Sequence, residues 1–217
     1  MKGILFDLDG TLVDTLEDIR AALNHVMALC CCREISASEC RAVVGNGLRK
    51  ALIGALWYSR AAYPEDELDI LYRELVDFYS ANACVHSRVY DGIPQLLDEA
   101  KGMGCMLGVL SNKADSLVQE IIGRLLPGRF DFVRGLMEGE RPKPDKKGVE
   151  DFIELCKATC EDVTMVGDSE VDWQTARNAG VRPLIVSYGY RSALDLVGQG
   201  IGPLASSVEE LGRELWN

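Results

Sequence analysis

The 217-residue chain is 47% hydrophobic and 26% charged and carries a formal net charge of −11, a composition that fits a folded globular protein and excludes a disordered or fibrous one. Its length suffices for a core of about 100 to 200 residues plus an insertion, with no need of disulfides. The acidic balance and the lack of a Lys/Arg run argue against a nucleic-acid partner, since phosphate backbones are bound mainly by clustered cations, so a site for a small anion would have to be made locally positive.

The first apolar run, Ile4 to Leu8, meets Asp7 before it could reach the roughly 7 to 15 residues of a signal-peptide core. No later segment approaches the ~20 apolar residues of a membrane span, so a cytoplasmic protein with no membrane association is expected. From about Thr15 to Arg88 the pattern is helical only. Leu16, Ile19, Leu23 and Val26 open an i, i+3, i+4, i+7 stripe, and Ser36 with Glu39 makes a capping-box pattern. Gly45-Asn46-Gly47 marks a loop. Pro64 before Glu65, Asp66 and Glu67 reads as the first turn of a further helix, whose apolar face would be Leu68, Leu71, Leu75 and Phe78.

The runs Met106 to Leu110, Phe130 to Val133, Val163 to Val166 and Leu184 to Val186, with a weaker one near Leu204, end in polar or glycine-rich turns followed by helical periodicity. That is the pattern of buried strands feeding crossover helices in a parallel sheet. The expected organisation is an α/β core formed by residues 1–14 and 89–217, interrupted by an all-helical insertion over residues 15–88. Eight cysteines, including Cys30, Cys31 and Cys32 in a row, lack paired C-x-x-C spacing and read as reduced, mostly buried thiols.

Chemistry concentrates where the strand runs end. Asp7 and Asp9, two residues apart, would leave the same face of a strand, with Leu8 pointing the other way. Ser111 closes the second run and is followed by Asn112 and Lys113, offering a hydroxyl and main-chain N–H groups to a phosphoryl oxygen. Lys143 lies in Arg141-Pro142-Lys143-Pro144, where the prolines restrict the backbone that aims its ammonium. Val166-Gly167-Asp168-Ser169-Glu170-Val171-Asp172 runs from a strand into a helix; its acids suit a helix N-terminus, and Asp168 and Asp172 could also share a magnesium ion with the first pair.

The segment Phe6-Asp7-Leu8-Asp9-Gly10-Thr11-Leu12-Val13-Asp14-Thr15 resembles the signature of haloacid-dehalogenase-like hydrolases, in which Asp-x-Asp-x-Thr marks phosphatases. Ser111, Lys143 and the Asp168 segment match the family's other three motifs in order, and the branch most similar to this chain is the phosphoglycolate-phosphatase-like one. The resemblance implies a Rossmann-like parallel sheet with all four motifs at the carboxyl edge of the strands, where open α/β sheets place their ligands, and an inserted all-helical cap domain.

It further implies that Asp7 attacks phosphorus to form an aspartyl-phosphate while Asp9 serves as general acid and then base. Mg2+ would be held by Asp7, the main-chain carbonyl of Asp9 and Asp168, with Asp172 and Glu170 orienting its waters. Thr11, Ser111, Asn112 and Lys143 would surround the phosphoryl group, Thr11 also helping Asp9 to settle between its two roles. Closure of the cap would exclude water and present Asn46, Gly47 and Arg49 to a small phosphorylated metabolite such as phosphoglycolate. A phosphomutase of the same superfamily and a phospho-accepting signalling domain are the alternative readings, and either a monomer or a homodimer is compatible with the sequence.

Overall fold

The structure, a computed structural model, describes residues 2–61 and 63–216. In chain order its elements are β1 (Gly3–Phe6), β2 (Val13–Asp14), α1 (Leu16–Leu29), α2 (Ala37–Val43), α3 (Leu48–Tyr58), α4 (Glu65–Asn82), β3 (Arg88–Val89), α5 (Ile93–Gly102), β4 (Met106–Ala114) and α6 (Asp115–Leu125). They continue as β5 (Phe132–Leu136), α7 (Lys147–Cys156), β6 (Val163–Gly167), α8 (Glu170–Ala179), β7 (Arg182–Val186), α9 (Ala193–Gly198), β8 (Leu204–Ala205) and α10 (Val208–Trp216). The chain divides into two compact units, one holding everything up to Asp14 and from Arg88 onward, the other Thr15–Ser87.

The first unit is built on a parallel sheet of six strands in the order β5-β4-β1-β6-β7-β8. β1 lies between β4 and β6 and is buried along its whole length, which is why its sequence is continuously apolar rather than alternating. Beside the sheet, Leu5, Leu110, Val149, Phe152, Val163, Met165, Ala176 and Val181 form one buried cluster. The fully buried Phe152 ring sits so close to Gly3 and Gly108 that a Cβ on either would lie 2.9 or 2.8 Å from it. Two features escape the sequence pattern. β4 runs on past Leu110 through Ser111, Asn112 and Lys113, with an irregularity in its pairing to β5 between Leu110 and Ala114. β2 and β3 form a two-residue antiparallel ladder, too short to leave a periodic signal.

The second unit is all-helical. α1 buries Leu16, Ile19, Leu23 and Val26. α2 starts with the Ser36–Glu39 capping box, both reciprocal bonds present. On α4, Leu75 and Tyr79 are buried, and Leu68, Leu71 and Phe78 are half-buried. A buried Asp18 carboxylate accepts the main-chain N–H groups of His86 and Ser87 and the Ser87 hydroxyl, tying the start of α1 to the end of the unit. All eight cysteines are free thiols. Among the described residues no helix is long and apolar enough to cross a membrane.

Candidate active site

Position at the site is set by the pairing of β1 with β6. Phe6 stands opposite Val166, and the Asp7 N–H continues the ladder to the Val166 carbonyl at 2.8 Å, so Asp7 leaves the sheet beside Gly167 and Asp168. Gly167 has no side chain to intervene; a Cβ there would lie 2.2 Å from the Asp172 side chain. Asp7, Asp168 and Asp172 therefore each present an oxygen within 4.8 Å of the others, all three buried.

Lys143 answers this negative charge. Its Nζ donates to Asp7 Oδ1 and to Asp172 Oδ1, each at 2.7 Å, with the lysine side chain 4% exposed. Burial alone would lower the lysine pKa, but Asp172 and Asp7 outweigh it and hold the ammonium charged well above its ordinary value. Burial pushes the Asp7 carboxyl up to about 7, with Asp172 and Asp9 adding to the rise and Lys143 opposing it. Asp168 is also pushed up, first by burial and then by Asp172 and Asp7, against the pull of the Tyr190 N–H. One ammonium does not neutralise three buried carboxylates, and their all-oxygen donor set is the kind a hard divalent cation takes. Asp172 has both oxygens engaged, one by Lys143 and the other by the Ser169 hydroxyl at 2.5 Å, so Asp7 and Asp168 offer more freely to a cation.

Asp9 lies beyond the strand, in a loop where the N–H groups of Leu12 and Val13 both donate to the Leu8 carbonyl. Lys113 Nζ donates to Asp9 Oδ1 at 2.6 Å, across 104 positions of sequence. Asn112 uses its side-chain amide on the Lys143 main chain, accepting the Lys143 N–H at 2.7 Å and donating to its carbonyl at 3.2 Å. The Ser111 hydroxyl accepts the Lys113 N–H.

The family model for haloacid dehalogenase-like hydrolases matches residues 4–186. A phosphoglycolate phosphatase of Agrobacterium fabrum is 33% identical over 86% of this chain and 80% of its own length. An N-acetylmuramic acid 6-phosphate phosphatase of Pseudomonas aeruginosa is 32% identical over 88% of this chain and 83% of its own. A solved structure from Lactobacillus delbrueckii subsp. bulgaricus superposes with a TM-score of 0.93 at 26% identity, covering 98% of this chain and 97% of that one. The chain belongs to the haloacid dehalogenase-like hydrolases, in the phosphoglycolate-phosphatase-like branch.

Within this hydrolase the residues singled out by sequence have distinct surroundings. Asp7, Asp168, Asp172 and Lys143 form one contiguous group. Thr11 is fully buried, and its hydroxyl has no hydrogen-bond partner among the described residues. Asn112, expected on phosphate, has its side-chain amide on the Lys143 main chain. Glu170, expected near the magnesium waters, pairs with Arg191 at 3.1 Å. In the helical unit Gly47 caps α3 with φ 88°, next to a half-buried Asn46. Arg49 is held there by Glu65 at 2.6 Å and Asp69 at 2.8 Å.

Two contributors were missed. Lys113 stands two residues after Ser111 on the same strand, a spacing that could have flagged it. The Tyr188-Gly189-Tyr190 turn after β7 had no such signal. There the Tyr190 N–H donates to Asp168 Oδ2 at 2.6 Å, and a Cβ on Gly189 would lie 2.4 Å from Asp168.

Proposed function

We propose that this hydrolase is a cytoplasmic, magnesium-dependent phosphatase that removes phosphate from a small metabolite through a covalent aspartyl-phosphate on Asp7, with phosphoglycolate as the first candidate substrate. The observation that carries the reading is the buried group in which Lys143 joins Asp7 to Asp172 while Asp168 lies within 4.8 Å of both. Two similar proteins named phosphatases, one for phosphoglycolate and one for N-acetylmuramic acid 6-phosphate, support the class. A monomer or a homodimer would serve equally.

Attack by a carboxylate on a phosphate dianion is opposed by charge, each unit pair at ~4 Å costing about 4 kcal/mol at an effective dielectric of 20. Asp7 and Asp168, with the main-chain carbonyl of Asp9 and with Asp172 in support, are the residues that would hold magnesium. When bound, that ion supplies positive charge to the phosphoryl oxygens and to the Asp7 carboxylate. Lys143, braced by Asn112, stays charged and would bind a further phosphoryl oxygen, as would Ser111. Asp7 then attacks in line as the leaving oxygen takes a proton from Asp9, and Asp9 next removes a proton from the water that cleaves the acyl-phosphate. Thr11, whose buried hydroxyl has no hydrogen-bond partner among the described residues, would help Asp9 between its two roles and meet the phosphoryl group. Asn46, Gly47 and Arg49 are proposed as the loop through which the helical cap meets substrate, Arg49 exchanging Glu65 and Asp69 for a substrate anion.

The test separates the two acids. With magnesium and an aryl phosphate, Asp7→Asn should fall to background and form no phosphoprotein. Asp9→Asn should lose about 10² to 10⁴ in turnover and accumulate an acid-stable adduct that mass spectrometry maps to Asp7. A phosphoryl group on another residue, or an active Asp7→Asn protein, overturns the mechanism.

A further inference from the structure

The carboxyl edge of the sheet carries two buried ammonium groups with separate duties. Lys143 serves the Asp7 cluster. Lys113, whose side chain is 2% exposed, lies 2.6 Å from the Asp9 carboxylate, whose own side chain is 14% exposed. A phosphoryl group positioned for attack by Asp7 would be held by Lys143, Ser111 and a cation on the acidic cluster, which leaves Lys113 for another duty. It bears instead on the residue that must face the leaving oxygen.

The Asp9 oxygen that accepts from Lys113 is engaged while the pair holds. Taking a carboxylate from a buried ammonium without replacing it is unfavourable, because the charge has already lost its hydration. The exchange becomes easy if the substrate brings an anion of its own. We propose that Lys113 is a specificity-determining residue: it pairs with Asp9 before substrate binds, then transfers to an anionic group on the alcohol portion of the substrate, freeing Asp9 to address the ester oxygen. This rests on the reading of Asp9 as the group that faces the leaving oxygen.

The geometry limits the substrate class. Asp9 must come within about 2.6–3.2 Å of the ester oxygen, and Lys113 lies 2.6 Å from Asp9. The Lys113 ammonium therefore lies within about 6 Å of the ester oxygen, the two contacts laid end to end, and the anion it takes up must lie one further contact from it. That favours phosphate monoesters with a carboxylate a few bonds from the ester oxygen, of which phosphoglycolate is the shortest. It excludes esters whose only other charge is remote.

The test uses phosphoglycolate, its neutral carboxamide and p-nitrophenyl phosphate with the full-length protein and magnesium. Wild type should favour phosphoglycolate over the carboxamide in kcat/KM by on the order of 100-fold or more, because the neutral amide gives Lys113 no carboxylate to take in place of Asp9. Lys113→Met should reduce that ratio to within about threefold, and Lys113→Arg should recover part of it. A structural role would lower all three substrates together and leave the ratio alone. Circular dichroism verifies the fold, and Lys113→Gln replaces Lys113→Met if the latter does not fold. A preserved ratio in a folded Lys113 variant overturns the proposal, as does wild type that does not distinguish phosphoglycolate from its amide. Wild type that hydrolyses none of the three fails the phosphatase reading itself, a result distinct from either.

Discussion

Raising the pH should weaken the metal-free protein, and magnesium should restore it, because three buried carboxylates crowd one ammonium at the sheet edge. Burial lifts Asp7 from an ordinary 3.8 to about 7 and lifts Asp168 as well. Between those two values the native protein keeps a proton that the unfolded chain has released. The native advantage is thus complete below the unfolded value and disappears as the pH rises through about 7. For Asp7 the span amounts to about 4 kcal/mol at most, since the neighbouring carboxylates share the titration. In a chain of this length that corresponds to about 10 °C in unfolding midpoint. A divalent cation on these oxygens removes the penalty, so its stabilising effect should be small near about pH 5 and should approach the full span near about pH 8. Thermal unfolding of chelator-treated protein, with and without magnesium, measures this directly. Asp7→Asn removes one titrating group and should flatten both the pH slope and the magnesium effect. The reasoning is refuted if magnesium stabilises equally at both pH values, or if wild-type stability without metal rises with pH relative to Asp7→Asn.

Other perturbations probe the supports of the site. Asn112→Ala should release the Lys143 main chain from two hydrogen bonds and lower kcat by about 10- to 100-fold with the fold intact, as steady-state kinetics beside circular dichroism would show. Gly10→Ala places a Cβ 2.3 Å from Asp168 Oδ2 in a residue with φ +81°, so activation by magnesium should need about 10- to 100-fold more ion, read from a metal titration. Arg49→Ala should reduce turnover of phosphoglycolate more than that of an aryl phosphate; equal effects would leave Arg49 only its pairing with Glu65 and Asp69.

What the sequence discloses about this molecule follows from the range over which each signal acts. Buried strands announce themselves locally: Ile4 to Phe6 and Val163 to Val166 are apolar because both faces of β1 and β6 are covered. The capping box at Ser36 and Glu39 is legible because its partners are three residues apart. The strand near Phe130 is read two residues early, since Phe130 is apolar but pairing starts at Phe132. Lys113 with Asp9 and Asn112 with Lys143 lie beyond such reading, because each joins segments that only the strand order brings together.

With β1 between β4 and β6, the acidic loop after β1 receives the ammonium at the end of one neighbour and the carboxylates after the other. Residue type along the chain identifies who can take part, and strand order decides who meets. That division explains why the spacing in Ser111-Asn112-Lys113 could mark Lys113 as a participant but not name Asp9 as its partner, which follows only once β4 is laid beside β1 in register, with Phe6 opposite Val109. A chain with the same motifs and β4 displaced by one residue would turn Lys113 to the other face of the sheet. Asp9 would keep its place in the sequence motif and lose the ammonium that β4 brings to it.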